Sequence, residues 1–141
     1  MYRKILIALD TTSSDQTLLP HIVALASMLK SELLLLHVAD GWVARNFDQL
    51  NLAESEEMRE DWKYLEDTAA RLRAEAGLTV TTRLALGNPP VQILKVADTE
   101  QVDLIAMASH GHRLVGDLIH GNTINAVRHK ARVPIVVVPR G

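Results

Sequence analysis

The chain contains no cysteine, few aromatic residues and no large excess of charge of either sign. Without cysteine, neither a disulfide framework nor a thiolate metal site can form. Aromatic residues make up only 4% of the 141 residues, which argues against a flavin held between rings or bases stacked on them. The formal net charge of -2 gives no electrostatic case for binding nucleic acid.

Long hydrophobic runs are also missing. The N-terminal sequence MYRKILIALD has only a short apolar run before an acid, too short for a signal peptide or a membrane span. Hydrophobic residues nevertheless make up 48% of the chain and charged residues 23%, which is typical of a folded globular protein. We therefore expect one domain over residues 1–141, in the cytoplasm and without a membrane partner.

Five short aliphatic segments have the length and composition of β-strands. They are residues 4–10, 32–38, 79–86, 102–109 and 133–139. Most are continuous apolar runs without alternation, which is typical of strands covered on both faces in a parallel sheet.

Amphipathic segments between these runs predict four helices, at residues 15–29, 54–76, 90–99 and 122–130. Pro20 predicts a later start or a bend in the first helix, and Gly77 is a candidate C-cap of the second. The alternating order predicts an α/β fold, an open five-stranded parallel sheet with helices on both faces, Rossmann-like. Residues 39–55 are a candidate lid or partner surface, although a loop covering the sheet edge is the simpler interpretation.

Ligands of open α/β sheets bind at the carboxyl ends of the strands. Asp10 ends the first predicted strand, and residues 107–111 end the fourth. Gly121, Asn122 and Thr123 are predicted to open the last helix, where free backbone N–H groups suit a phosphate. Plain capping of that helix by Asn122 or Thr123 explains the same residues equally well, so spacing alone leaves both interpretations open.

Along essentially its whole length the chain resembles the universal stress protein family. The resemblance lies in KILIALD (4–10), LLLLHV (33–38), GNPPVQILKVADTEQVDLIAMASHG (87–111) and GNTINAVRHKARVPIVVVP (121–139). The family motif is a glycine, two residues, a glycine, nine residues, then a glycine followed by serine or threonine. It falls here on Ala108, Gly111, Gly121 and Asn122, so the first glycine and the hydroxyl residue are replaced.

The resemblance implies an adenine-nucleotide α-hydrolase-like fold and a stress-response regulatory protein that binds ATP or AMP, with or without Mg²⁺. Carried over by position, the nucleotide-binding residues are Asp10, Val38, Met107, Ala108, Gly111, Gly121, Asn122 and Thr123. It also implies a homodimer through the last predicted strand, residues 133–139, which begins at Val133 and ends at Pro139. Because two motif positions are replaced, the alternative is a dimeric interaction protein that binds no nucleotide.

Other functions of similar folds are less well supported by the sequence. Asp10 is not expected to be a phosphoacceptor, because the first strand offers no neighbouring carboxylate to hold Mg²⁺. The segment TTSSDQT lacks the glycine of a flavin phosphate loop, and we expect Thr12, Ser13 or Ser14 to cap the first helix. No convincing nucleophile or general base emerges, so at most weak ATP hydrolysis is expected.

The six histidines do not predict a metal site. His110, His112 and His120 offer too few ligands in a defined geometry for zinc, and no cysteine can complete the set. His37 lies in a predicted strand and is expected to be a core histidine whose ring nitrogens have partners. No metal ligand is therefore assigned.

Overall fold

The structure is a computed structural model that describes residues 1–40, 47–109 and 115–139, with side chains described outside residues 40, 47–55 and 115–121. Strands and helices alternate along the chain, as the sequence predicts. They are β1 (Lys4–Ala8), α1 (Asp15–Leu29), β2 (Glu32–Asp40), α2 (Phe47–Ala76), β3 (Val80–Gly87), α3 (Pro89–Thr99), β4 (Leu104–Ser109), α4 (Val115–Lys130) and β5 (Ile135–Pro139).

The five strands form one parallel sheet in the order β3-β2-β1-β4-β5, which confirms the predicted open α/β fold. β1 is central, and Ile7 lies opposite Leu35 of β2 on one side and Ala106 of β4 on the other. The chain runs outward from β1 through β2 to β3 and returns on the far side as β4. The gap between β1 and β4 is therefore the topological switch point, where ligands of such sheets bind.

The sheet separates two hydrophobic cores. Ile5 and Ile7 of β1 point to the face covered by α1 and α2, whereas Leu6 points to the face covered by α3 and α4. All three side chains are fully buried, which explains why the strand sequences are continuously apolar. None of the described helices is long and apolar enough to cross a membrane.

The first two helices end as the sequence predicts. α1 spans the predicted residues, and Pro20 lies inside it, so the helix does not start late. Gly77 follows α2 with a φ of +65°, and its N–H donates to the carbonyl of Arg73 at 3.0 Å. This left-handed residue is the predicted C-cap, a conformation that glycine adopts without a Cβ penalty.

Two predicted boundaries are wrong by seven residues, whereas the others differ from the structure by at most two. Residues 39–55 are not a single loop, because β2 extends to Asp40 and α2 begins at Phe47; Trp42 lies outside the described residues. The last helix begins at Val115 rather than at Asn122. Gly116 and Gly121 suggested a turn before it, but glycine costs a helix only about 1 kcal/mol per residue, which other interactions readily outweigh.

The burial of residues in the sheet leads to a prediction about the stability of the fold. Leu35 is completely buried in β2, and we expect Leu35→Ala to lower the free energy of unfolding by about 2 to 5 kcal/mol, since it leaves a cavity. Met28, on α1, is 82% exposed, and Met28→Ala should change that free energy by less than about 0.5 kcal/mol. Urea denaturation of both variants checks this, and equal losses would contradict the packing described.

Candidate functional site

A cavity of about 140 Å³ opens at the carboxyl ends of β1, β2 and β4, at the switch point of the sheet. The ends of these strands form one part of its wall, and the first turns of α3 and the middle of α4 form the rest. The lining residues are Ala8, Leu9, Asp10, Leu36, His37, Val38, Pro89, Ile93, Met107, Ala108, Thr123 and Ile124.

The cavity is small and mostly apolar. Its volume is below the range of roughly 300–1,000 Å³ that is usual for pockets holding a whole ligand. It therefore has room for one ring system, and the rest of a larger ligand would extend outside. Among the lining residues that the structure describes, Asp10, His37 and Thr123 are the ones with polar side chains.

The structure brings together most of the residues predicted for the site. Asp10, Val38, Met107, Ala108 and Thr123 all line the cavity, although they come from the turn after β1 and from β2, β4 and α4. The other three predicted residues do not contribute to the described lining. Asn122 is exposed, Gly121 lies within α4, and Gly111 is outside the described residues.

The predicted role of the α4 backbone is wrong. Only the first four N–H groups of a helix lack a partner within it. Because α4 begins at Val115, Gly121, Asn122 and Thr123 lie in its second and third turns, where backbone N–H groups bond within the helix. They are neither the free helix N-terminus predicted to hold a phosphate nor the caps of the alternative interpretation.

Ala108 causes no backbone strain where the family motif has glycine. It lies in β4, and it is not among the described residues with a positive φ. The replacement therefore costs no strain in a turn, and it adds a methyl group that lines the cavity and packs against the core covered by α1 and α2.

The hydroxyl cluster after β1 binds Asp10. Oδ1 of Asp10 accepts from the backbone N–H of Thr12 at 3.0 Å and from the Thr12 hydroxyl at 2.6 Å, and the Ser14 hydroxyl donates to Oδ2 at 2.8 Å. Burial alone would raise the pKa of Asp10, but these hydrogen bonds outweigh it and lower the pKa to about 2. Asp10 is therefore a charged lining group at neutral pH.

The sequence predicts the position of the α1 N-cap correctly, but the cap does not use a side-chain hydroxyl. Ser14 occupies the N-cap position, but its side chain makes no capping hydrogen bond. The first N–H groups of α1 instead donate to backbone carbonyls, Asp15 to Thr12 and Gln16 to Ser13, each at 3.1 Å. The Ser14 hydroxyl is thereby available to Asp10.

Sequence reasoning missed Asp15, the first residue of α1. It is only 1% exposed, and it accepts hydrogen bonds from the N–H groups of Asp10 at 3.1 Å and Thr11 at 3.0 Å and from the Tyr64 hydroxyl at 2.7 Å. Burial raises the pKa of Asp15 to about 6; the Tyr64 hydrogen bond opposes this rise and the Asp10 charge adds to it. Burial and the Asp15 carboxylate raise the pKa of Tyr64, so its hydroxyl stays protonated and donates.

His37 has partners for its ring nitrogens, as the sequence predicts, but it is only partly buried and belongs to neither hydrophobic core. Its Nδ1 lies 2.8 Å from the carbonyl oxygen of Leu9, which can only accept, so Nδ1 carries the proton. Its Nε2 lies 3.5 Å from a carboxylate oxygen of Asp61 on α2. His37 also lines the cavity, a position that strand periodicity alone does not reveal.

The histidines considered as metal ligands cannot be placed. His110 and His112 lie outside the described residues, and the side chain of His120 is not described. Among the side chains that are described, no three histidine, aspartate or glutamate residues converge in a way that could hold a metal ion.

The model of the universal stress protein family matches residues 1–139. The chain belongs to this family. Universal stress protein MJ0577 of Methanocaldococcus jannaschii is 28% identical over 156 residues, a match that covers 99% of this chain and 96% of the relative. A solved structure of MJ0577 aligns with a TM-score of 0.86 at 29% identity and covers 100% of this chain and 98% of that one.

Two solved universal stress proteins contain nucleotides. One, from Archaeoglobus fulgidus in complex with dAMP, aligns with a TM-score of 0.72 at 18% identity and covers 97% of this chain and 98% of that one. The other, in complex with cAMP, aligns with a TM-score of 0.72 at 14% identity and covers 98% of this chain and 97% of that one. At these identities the likeness shows a common fold.

Asp15 makes the stability of this universal stress protein depend on pH. Its pKa is about 6 in the folded chain, against an ordinary 3.8, so on acidification the folded state binds a proton before the unfolded state does. The resulting stabilisation is complete below the unfolded pKa and is lost as pH rises through about 6. From about pH 7.5 to about pH 4.5, we expect the parent to gain about 2 kcal/mol of unfolding free energy relative to Asp15→Asn.

Urea denaturation of the parent and Asp15→Asn across this pH range measures the gain. Asp10, with its lowered pKa, has the opposite effect, but only in more acidic solution. Parallel pH profiles for the two proteins would contradict the raised pKa of Asp15.

Proposed function

We propose that this universal stress protein binds an adenine nucleotide, ATP or AMP, with the base in the cavity at the carboxyl ends of β1, β2 and β4. One observation carries the proposal. A single cavity at the switch point is lined by Asp10, Val38, Met107, Ala108 and Thr123, which the family resemblance assigns to the nucleotide.

The cavity has the chemistry to take the base. Val38, Ile93, Met107 and Ile124 give it apolar walls, so a planar ring system would gain free energy by leaving water. None of the described lining residues is Phe, Tyr or Trp, so the contact that they offer the ring is mainly aliphatic. The volume suits the base alone, which requires the ribose and phosphates to lie outside.

The groups around the cavity suit the rest of a nucleotide. The Asp10 carboxylate is charged at neutral pH and can accept hydrogen bonds from ribose hydroxyls. Thr123, buried and lining the cavity, is the α4 residue that we place against the ligand, in preference to Gly121 and Asn122. The phosphates would pass Ala108 towards the residues that follow β4 in the chain, which include Gly111.

The dAMP and cAMP complexes of other universal stress proteins support a nucleotide of this class. We propose a regulatory binding module of the stress response rather than a dedicated enzyme, with ATP hydrolysis slow if it occurs. Such a protein changes its behaviour according to whether the cavity is occupied.

Filling the cavity should weaken binding. Ala108→Leu adds three heavy atoms to the wall, and we expect it to weaken ATP binding at least tenfold, roughly 1.4 kcal/mol or more. Ala108→Gly should bind as tightly as the parent or more tightly, because it only removes a methyl group. Ala70→Leu, the same enlargement on the exposed face of α2, is the matched control and should bind like the parent.

Titration calorimetry with ATP, on variants whose thermal melts show that they are folded, makes the comparison. Equal affinities for the parent and Ala108→Leu would show that the base does not occupy the cavity. A parent that binds neither ATP nor AMP would favour the alternative, a dimeric interaction protein without nucleotide.

We also propose that the protein forms a homodimer through β5. β5 is an edge strand of the sheet, and Val137 on it is 40% exposed. An exposed apolar edge invites uncontrolled pairing, and an antiparallel partner β5 would cover it.

Placing a charge on this edge should dissociate the dimer. We expect Val137→Lys to weaken dimerisation by about tenfold or more, because the charge would have to be buried in the interface. Val91→Lys, on the exposed face of α3 where Val91 is 56% exposed, is the control. Sedimentation at micromolar concentration checks this, and a monomeric parent would refute the proposed dimer.

A further inference from the structure

A buried carboxylate outside the cavity wall holds the turn that carries Asp10. The two oxygens of Asp15 accept from consecutive backbone N–H groups, Oδ1 from Asp10 and Oδ2 from Thr11. The hydroxyl of Tyr64, 49 residues further along the chain on α2, donates to Oδ2. Three donors from two parts of the chain therefore converge on one side chain.

The turn between β1 and α1 has a backbone conformation that its sequence does not favour. Thr11 has a φ of 62°, in the left-handed region that β-branched residues rarely adopt. Its side chain is exposed, so packing of that side chain does not hold the conformation. The hydrogen bonds from Thr11 and Asp10 to Asp15 act directly on the backbone here.

Asp15 is a costly residue to bury in this place. Burial raises its pKa to about 6, so its ionised form lowers the stability of the folded chain at neutral pH. The titratable groups facing it are Asp10 from the turn after β1 and Tyr64 from α2, and Arg71 lies near enough to affect Tyr64. Carboxyl groups whose pKa is strongly raised by burial are often found at functional sites, next to a cavity.

Helix α2 is linked to the cavity at a second point. Asp61 lies three residues before Tyr64, so both project from the same side of α2. Asp61 faces His37, which lines the cavity, while Tyr64 faces Asp15. The same side of α2 thus contacts groups at the carboxyl ends of both β1 and β2.

We propose that Asp15 is the positioning residue of the nucleotide cavity. Held by Tyr64, its carboxylate fixes the backbone of Asp10 and Thr11 in the turn that presents the Asp10 carboxylate to a ligand. This inference rests on the proposed function, because Asp10 is the group that meets the nucleotide.

The first test needs no ligand. In NMR spectra of the parent, the amide protons of Asp10 and Thr11 should shift together with pH, with a midpoint near 6, as Asp15 titrates. Asp15→Asn should abolish this common shift. Tyr64→Phe keeps the ring but removes a donor that favours the charged carboxylate, so it should move the midpoint to higher pH.

The second test measures ATP affinity. Asp15→Asn should weaken binding about tenfold at neutral pH, because its amide presents a donor to one of the two N–H groups. Tyr64→Phe should come closest to the parent in alkaline solution, where Asp15 is charged in both and only the hydrogen bond from the hydroxyl is lost. Below neutrality it should bind more weakly, because more of its Asp15 is protonated.

Asp103→Asn is the matched control for both tests. Asp103 also accepts from two consecutive backbone N–H groups, those of Arg3 at 2.8 Å and Lys4 at 3.1 Å, but these lie at the start of β1, at the opposite end of the strand. We expect it to bind ATP like the parent at every pH. Ratios to this control cancel the titration of the ATP phosphates.

The outcomes separate the inference from the proposed function. Unchanged amide titration in Asp15→Asn would overturn the positioning role, and so would full ATP affinity in that variant. If Asp15→Asn does not fold, Tyr64→Phe provides the test. An amide titration with the same midpoint as the parent would then overturn the positioning role. The parent could also show the amide titration and yet bind no adenine nucleotide. That result would overturn the proposed function, but it would support the conclusion that Asp15 fixes the backbone of the turn.

Discussion

The cavity depends on the placement of β1 between β2 and β4. Parallel pairing puts the carboxyl ends of these three strands at one edge of the sheet, and the chain leaves β1 and β4 in opposite directions there. A crevice opens between the diverging connections. Its walls are mostly apolar because the strands that end there are buried on both faces, so some of the residues that stabilise the fold also line the cavity.

In the polar part of the site, a buried carboxylate lowers the stability of the fold but bonds the backbone of the turn after β1. Two carboxyl groups, those of Asp10 and Asp15, lie close together after β1, and their surroundings shift their pKa values in opposite directions. Hydroxyl and amide donors keep Asp10 charged, whereas burial opposes the charge on Asp15. Asp15 nevertheless accepts hydrogen bonds from the backbone N–H groups of Asp10 and Thr11, and Tyr64 connects that turn to α2. Burying the charged Asp15 lowers the free energy of unfolding, and in return its hydrogen bonds define the backbone of the turn.

The sequence predicts the features that depend on local pattern. Continuous apolar runs predicted the parallel sheet, and the spacing of α1 predicted its limits. The family resemblance pointed to five residues that line the cavity. Asp15 was missed because its partner Tyr64 is distant in sequence, and nothing local distinguishes it from an ordinary acid in the first turn of a helix. The start of α4 was missed because local glycine penalties are small compared with the interactions that extend a helix.

The most direct test of the account is a crystal structure of the protein with a non-hydrolysable ATP analogue. We expect the adenine ring in the cavity between Val38 and Met107, with the ribose beside Asp10 and the phosphates outside, beyond Ala108. An analogue bound elsewhere, for example in the groove lined by Lys95, Lys130 and Arg132 near the other end of the sheet, would contradict the account. So would an adenine ring outside the cavity with its phosphates bound at Asn122.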